Sequence, residues 1–397
     1  MTKSLASRRF KASFISGSAL LCLVSGAVGL QAGDWSIEAK TTSKIDLNDN
    51  YYLLPATDGF VFGSFSNVNV DLIHKSAIDR FDLIGDLGFQ SYFGNVHSNT
   101  QNRLLPRISA KYHLSGKTDS IDLGAGYSFS DLNTFDPIDT IGVSRNLTRH
   151  TISANAGYSK TLTPRLTVGS SASIQDIVFS GAGVGVNPYI TTNLSSFLKY
   201  RLTKTTDFTT TFGGQWQSVD DAQNTLNTSY FFRSDLSSQL EKNLSLSIGG
   251  GPRFGVNYYD NILAPLNPRI STSTLGWLAD AKLNYKYKVG SITAGVSHSV
   301  DPDVLGNLQT RDTFSLAASH VINEDSQFDV SAQYRLSTNA LGGDQQSFVF
   351  APVYKHRLAR EWSMAAGYTF TLTDSGAGSA RSDDLFLSLS RSFVVMP

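Results

Sequence analysis

The sequence predicts an all-β protein, a closed up-and-down antiparallel transmembrane β-barrel of about 18 strands, preceded by a signal peptide. Three observations support this fold class: an apolar–polar alternation that restarts along the chain, connections whose lengths alternate, and an export segment at the N-terminus. Sixteen strands is the alternative count, because the alternation is weakest on both sides of residues 130–150.

The alternation has the period of a β-strand. Residues 81–89 are apolar or glycine at every second position, with Asp82 and Asp86 between them, and residues 362–372 repeat the pattern. Successive side chains of a strand point to opposite faces, so each such stretch has one apolar and one polar face. In a soluble β-sandwich the apolar face would form the core, whereas in a membrane barrel it contacts lipid.

The lengths of the connections separate the barrel from the sandwich. Short connections are predicted around 115–118 and 289–290, and long ones around 130–150, 260–272 and 374–383. Long and short connections alternate along the chain, about nine long and eight short, which gives an even number of strands. Outer-membrane barrels combine short periplasmic turns with longer extracellular loops, whereas the Greek-key connections of a sandwich do not alternate in this way.

The N-terminus is predicted to direct export. Lys3 and Arg8 lie before an apolar, small-residue segment at 15–30, and Ala32 offers a cleavage site. We therefore expect residues 1–32 to be a secretory signal peptide and residues 33–397 to form the barrel. The only cysteine, Cys22, falls inside this segment, so the mature chain is expected to have no disulfide and no thiolate metal ligand.

Composition argues against several functional classes. Lysine plus arginine equals aspartate plus glutamate, at 33 each, which gives no indication of a nucleic-acid partner. After residue 32, no apolar run approaches the ~18 residues of a membrane helix. The seven histidines are scattered, without the spacing of metal ligands, and no catalytic constellation is recognisable. We expect no metal, no cofactor and no enzymatic activity.

Both ends of the predicted barrel resemble known families. Residues 385–393 alternate and close on Phe393, and they resemble the terminal strand that the barrel-assembly machinery reads in outer-membrane proteins. Residues 39–50, which end in Asp49 and Asn50, are similar to the opening of β-barrel porins and of exopolysaccharide-associated outer-membrane barrels. The resemblance implies export through the Sec pathway to the outer membrane of a Gram-negative bacterium, with lipid and the assembly machinery as partners.

The polar phase of the alternation predicts which side chains line the interior. A charge on the lipid face near the midplane costs ~2–4 kcal/mol, so charged residues are expected on the inner face whether or not they serve transport. The predicted pore-lining residues are Asp82, Asp86, Arg103, Arg107, Lys111, Arg233, Asp235, Arg253, Lys282 and Arg335.

Residues 130–150 form the longest predicted loop. Its charged members are Asp131, Asp136, Asp139, Arg145 and Arg149. Two interpretations stay open: the loop folds inward and constricts the pore, or it is a surface loop of mixed charge.

The sequence predicts a porin-like channel for passive passage of small hydrophilic solutes or of a surface polysaccharide. A barrel of 16–18 strands is wide enough to hold water. The alternative is a structural or adhesive surface barrel whose loops plug the lumen.

Overall fold

A computed structural model describes residues 34–51, 53, 59–94, 101–131, 148–180, 187–260, 269–302, 308–339, 344–375 and 378–396. These residues form strands and the connections between them, and none of them is helical. No helix in this part of the chain is long and apolar enough to cross a membrane. The predicted signal peptide lies outside the described residues.

The described residues form 18 strands. They are β1 Asp34–Asn48, β2 Val61–Lys75, β3 Asp79–Gly94, β4 Gln101–Ser115, β5 Asp119–Asp131, β6 Thr148–Thr163, β7 Leu166–Ser180, β8 Tyr189–Arg201, β9 Thr206–Val219, β10 Leu226–Glu241, β11 Leu244–Asp260, β12 Arg269–Tyr287, β13 Gly290–Pro302, β14 Leu308–Asn323, β15 Ser326–Asn339, β16 Asp344–Arg357, β17 Trp362–Ser375 and β18 Gly378–Met396.

The strands form one closed antiparallel sheet. Each strand pairs with its sequence neighbours, and β1 also pairs with β18, where Thr42 lies opposite Ser390 and Leu47 opposite Leu385. The predicted fold class and the count of 18 strands are therefore confirmed, and the alternative of 16 is wrong. Closure removes the two free edges that an open sheet of the same strands would have.

The pairing fixes the tilt and width of the barrel. We step from Lys40 to its directly opposite partner on β2, from there to the opposite residue on β3, and so on around the barrel. The path returns to the line of β1 about 22 residues beyond Lys40. An offset of this size in 18 strands implies a tilt of roughly 40° and a backbone radius of roughly 17 Å. The side chains of the wall alone cannot fill a cylinder of this radius.

The connections alternate in length around most of the barrel. We call the end of the strands with the short turns the lower end and the opposite end the upper end; in outer-membrane barrels these are periplasmic and extracellular. Lower turns separate consecutive strands by two to four residues, as at 164–165 and 358–361. The longest upper connection is 132–147, in agreement with the predicted position of the longest loop.

One predicted long connection is wrong. Instead of a loop at 374–383, β17 continues to Ser375 and β18 begins at Gly378, so only two residues separate them. Gly378 has a φ of 118°, which favours glycine in this tight hairpin. The strands here are polar on both faces: Asp383 accepts hydrogen bonds from Arg381 and Tyr368 on the outer face. Without an apolar phase, this part of the strand pair gives no alternation in the sequence.

The outer face of the barrel is apolar. Leu275 is 80% exposed, Trp277 56% and Val68 47%, and all three lie on the side of the sheet opposite the charged phase. A contiguous apolar exterior of this extent is incompatible with water and fits the hydrocarbon layer of a membrane. Tyrosines and tryptophans, including Tyr158 and Trp362, also point outward, as in the aromatic girdles of membrane barrels.

The assignment of faces is testable on two neighbouring residues of β2. Val68→Arg places a charge against lipid near mid-strand and should lower the free energy of unfolding by ~2–4 kcal/mol. The folded fraction should fall strongly. Asn67→Arg places the same side chain inside the barrel, beside Asp86, and should leave folding nearly unchanged. The measurement is the fraction of unheated protein that migrates as compact barrel on a gel. Equal folding of the two variants would contradict this assignment of the outer and inner faces.

Candidate functional site: the inner wall

The register brings all ten predicted pore-lining residues onto the inner face. On β3 and β4, Asp82 lies opposite Lys111 and Asp86 opposite Arg107, so the four share one side of the sheet. The same alternation places the other six predicted residues inside: Arg103, Arg233, Asp235, Arg253, Lys282 and Arg335.

The cations of β4 form an accessible stripe. Arg107 and Lys111 are exposed although they point into the barrel, so solvent reaches the inner face beside them. Their opposite carboxylates have other contacts: Asp82 accepts from Arg80 Nε at 2.9 Å, and Asp86 Oδ1 accepts from Asn67 Nδ2 at 2.7 Å. Among the described residues, neither Arg107 nor Lys111 forms an ion pair within 4.0 Å.

A second charged group spans β10 and β12. Arg233 contacts Asp235 Oδ1 through Nε at 2.7 Å, and its Nη2 contacts Asp280 Oδ1 as well. All three side chains are less than one third exposed. One guanidinium thus holds two carboxylates together on the wall, and the group carries a net single negative charge.

Nearer the lower end, several inner-face charges are paired. Lys199 Nζ lies 2.8 Å from Asp207 Oδ2, and Lys355 Nζ lies 2.8 Å from Asp329 Oδ2. His113 Nδ1 is 2.6 Å from Asp122 Oδ1. Because these pairs are solvent-accessible, each contributes little to stability, and the two lysine–aspartate pairs add no net charge to the lower wall.

Nearer the upper end, the inner face is packed rather than open. Ile177 and Gln217 are each 1% exposed and Ser337 is 2% exposed, although all three point into the barrel. The buried polar groups are hydrogen-bonded to one another: Asn227 Nδ2 donates to Gln217 Oε1 at 2.8 Å, and Ser337 Oγ to Gln309 Oε1 at 2.7 Å.

This buried belt follows most of the circumference. Its other inner-face members include Asp46, Gln90, Tyr189, Thr191, Val219, Ser229, Arg253, Ser347, Thr371, Thr373 and Ser382. Solvent therefore reaches the inner face less at the level of the belt than below it.

The predicted constriction loop is only partly described. Asp131 is the last residue of β5 and Arg149 the second residue of β6, so both belong to strands rather than to the loop. The strands extend past the apolar phase here, which is why the sequence pattern ended them early. Asp136, Asp139 and Arg145 lie outside the described residues.

Within the described ranges, no group of three His, Cys, Asp or Glu side chains is placed to hold a metal ion. Two of the described histidines each lie beside a single carboxylate: His298 pairs with Asp312 at 2.7 Å on the outer face, and His113 pairs with Asp122 on the inner face.

The closed 18-stranded sheet, the apolar exterior and the polar interior together define a transmembrane β-barrel with the architecture of outer-membrane porins. No family model matches the chain, and no curated protein matches it.

Solved structures of outer-membrane channels are similar to it over most of its length. OccK2 (OpdF) of Pseudomonas aeruginosa is 11% identical, with 91% of this chain and 98% of that chain covered and a TM-score of 0.49. OpdO of the same organism is 13% identical, with the same coverage and a TM-score of 0.48. OccAB2 of Acinetobacter baumannii is 8% identical, also with the same coverage and a TM-score of 0.48. At these values, conclusions about function rest on the inner wall of this chain itself.

The Arg233 group yields a stability prediction. Arg233→Leu leaves Asp235 and Asp280 facing each other without their shared cation and should lower the free energy of unfolding by about 1–2 kcal/mol. Combining it with Asp280→Asn should recover part of that loss, because the repulsion is then removed. The measurement is the urea midpoint of the folded barrel in detergent.

The matched control is Arg201→Leu, whose partner Asp207 keeps a second cation in Lys199. If Arg201→Leu lowered the midpoint as much as Arg233→Leu, the bridging role of Arg233 would be refuted.

Proposed function

We propose that this protein is a channel for passive passage of small hydrophilic solutes across the outer membrane. The observation that carries the proposal is the exposure of inner-face side chains: Arg107 and Lys111 on β4, Asn155 on β6 and Ser171 on β7 are all accessible from inside the barrel. Inner-face groups reached by solvent along several neighbouring strands indicate a water-filled space, which a barrel of this width can hold.

The charged stripe supports a preference for anions. The inner faces of β3 and β4 carry Arg80, Arg103, Arg107 and Lys111 against Asp82 and Asp86, which is an excess of two positive charges. The two carboxylates make their closest contacts with Arg80 and Asn67 rather than with the accessible cations. Charge beside a narrow zone sets the selectivity of a pore, and salt screens it over about 10 Å at 0.1 M.

A specific observation favours a second candidate, a surface barrel with a blocked lumen. The buried belt shows that the upper lumen is packed around most of the wall. If the belt closed the lumen completely, the protein would be a structural or adhesive barrel. The predicted constriction by the segment that contains Asp136, Asp139 and Arg145 is part of the channel proposal. A constriction at the belt would bring charged groups closer to a passing ion and strengthen the selectivity of the pore.

Export and assembly complete the proposal. Residues 1–32 would direct secretion through the Sec pathway, and β18 would be read by the barrel-assembly machinery. Phe393 points outward near the lower end, where a terminal aromatic is accessible. Arg391, at a position where an aromatic is more usual, lies 5.5 Å from the Trp362 ring and pairs with Glu361 at 3.1 Å, so it fits the lower membrane interface.

We expect the purified barrel to conduct ions in a planar bilayer and to prefer anions in a salt gradient. Replacing Arg103, Arg107 and Lys111 together by Gln should move the reversal potential toward zero, because the lumen loses three cations. The matched control is Lys117→Gln, Lys204→Gln and Lys242→Gln together, which removes the same charge from three lower turns outside the lumen.

Absence of conductance from correctly folded protein would contradict the channel and favour the blocked barrel. Equal reversal potentials in wild type and both triple variants would contradict the role of the stripe while leaving the channel intact.

A further inference from the structure

One part of the inner wall differs chemically from the rest. The inward-pointing residues of β6, β7, β8 and β9 within 151–159, 167–179, 189–197 and 209–219 include no charged side chain. We call these inward-pointing residues the neutral arc. On the same strands, Lys199 and Asp207 point inward below it, Arg149 points inward above it, and Asp176 points outward. By contrast, the inner faces of β3 and β4 carry Arg80, Asp82, Asp86, Arg103, Arg107 and Lys111.

The neutral arc contains a recess. Its volume is about 450 Å³, within the range of pockets that hold small ligands. The inward-pointing side chains of the arc that line it are mainly Asn155, Ser171, Ser173, Asn193, Ser195 and Phe197, and Asp122 of β5, whose carboxylate pairs with His113, borders it. Asn155 and Ser171 are exposed, so a solute in the lumen can reach the recess.

The polar groups of the recess are ordered by one another. Ser171 Oγ and Ser195 Oγ lie 2.8 Å apart, and Asn193 Nδ2 donates to Ser173 Oγ at 3.2 Å. These contacts use only part of the capacity of each group, because a hydroxyl has one donor and two acceptor sites and an amide has two of each. The remaining donors and acceptors are available to a ligand.

An aromatic ring borders these polar groups. Phe197 points inward and lies against Gly169 of β7, where a Cβ atom would stand only 2.5 Å from Cε1 and Cζ of the ring. Glycine at this position lets the ring rest on the wall instead of projecting across the lumen. The recess thus combines hydrogen-bonding groups with an aromatic surface.

We infer that the neutral arc is a binding site for a neutral saccharide. Sugar hydroxyls both donate and accept hydrogen bonds, and amide and hydroxyl side chains match both roles. Arginine and lysine only donate and ionised aspartate only accepts, so each matches one of the two roles of a sugar hydroxyl, whereas the amides and hydroxyls of the recess match both. The C–H face of a sugar ring is apolar and packs on an aromatic ring.

This inference rests on the proposed channel function, because the site would serve solutes passing along the lumen. It specifies one solute class and places its contact on β6–β9, away from the cationic stripe of β4.

The test measures binding of maltotriose, a neutral trisaccharide, to the folded full-length barrel in detergent by calorimetry. Asn193→Ala removes an amide from the recess, and Phe197→Leu keeps apolar bulk over Gly169 but removes the aromatic ring. Each should raise the Kd for maltotriose about three- to ten-fold. The matched control is Asn284→Ala, which removes the same side chain from the inner face of β12, beside Lys282 and Lys286.

Folding of every variant is checked by migration of the unheated protein, and Asn193→Ala alone decides the outcome if Phe197→Leu does not fold. No saturable binding by wild type, or equal Kd values in wild type, Asn193→Ala and Asn284→Ala, would overturn the inference. Calorimetry measures binding without ion flow, so it tests the saccharide site separately from the channel. A conducting barrel that binds no maltotriose would contradict the site and leave the channel intact. Saccharide binding by a non-conducting barrel would support the site and contradict only the channel.

Discussion

Pairing of backbone hydrogen-bonding groups is the constraint on which the whole structure depends. In the hydrocarbon layer no water can satisfy an N–H or C=O group, so a sheet that crosses the membrane must close on itself. The closing contact joins the first and last strands of the chain, β1 and β18, across almost its full sequence length. Inner-face contacts support this seam: Lys44 Nζ lies 3.8 Å from Asp46 and 3.9 Å from Asp384, and its ammonium lies 4.8 Å from the Phe386 ring.

Closure also determines what each side chain can do. A closed sheet has one face toward lipid and one toward the lumen, so alternation along a strand becomes a division between membrane contact and solute contact. The stagger of the strands then decides which inner residues lie at the same height. It separates a packed belt near the upper end from a more accessible zone below, where a cationic stripe and a neutral, hydrogen-bonding arc occupy different sectors of the wall.

The sequence was sufficient to predict the faces but not the contacts. Period-two alternation placed Asp82 and Lys111 on the same face because that phase is a local property of each strand. Which partner Asp82 contacts depends on rotamers, and the structure shows Arg80 of its own strand rather than Lys111 opposite. The ends of strands were predicted less well, since Asp131, Arg149 and Asp383 lie on strand segments that extend beyond the apolar phase.

The buried belt could not be predicted from alternation, because polar residues such as Gln217 and Ser337 read as solvated wall. Their burial depends on tertiary packing against other inner-face side chains, such as Asn227 beside Gln217 and Gln309 beside Ser337. The neutral arc was visible residue by residue, as serines, threonines and amides in the polar phase, yet its extent depends on the register that sets four strands side by side.

The most direct test of the closed barrel is a disulfide across its seam. Thr42 Oγ1 and Ser390 Oγ lie 2.9 Å apart on directly opposite residues, and the predicted mature chain has no cysteine of its own. Thr42→Cys combined with Ser390→Cys should oxidise in the folded protein to an intramolecular bond, which changes migration of the boiled, unreduced chain. Thr42→Cys combined with Ser331→Cys on β15 should not. Absence of the bond between positions 42 and 390 in folded protein, or its equal formation in the control, would contradict closure of the barrel by β1 and β18.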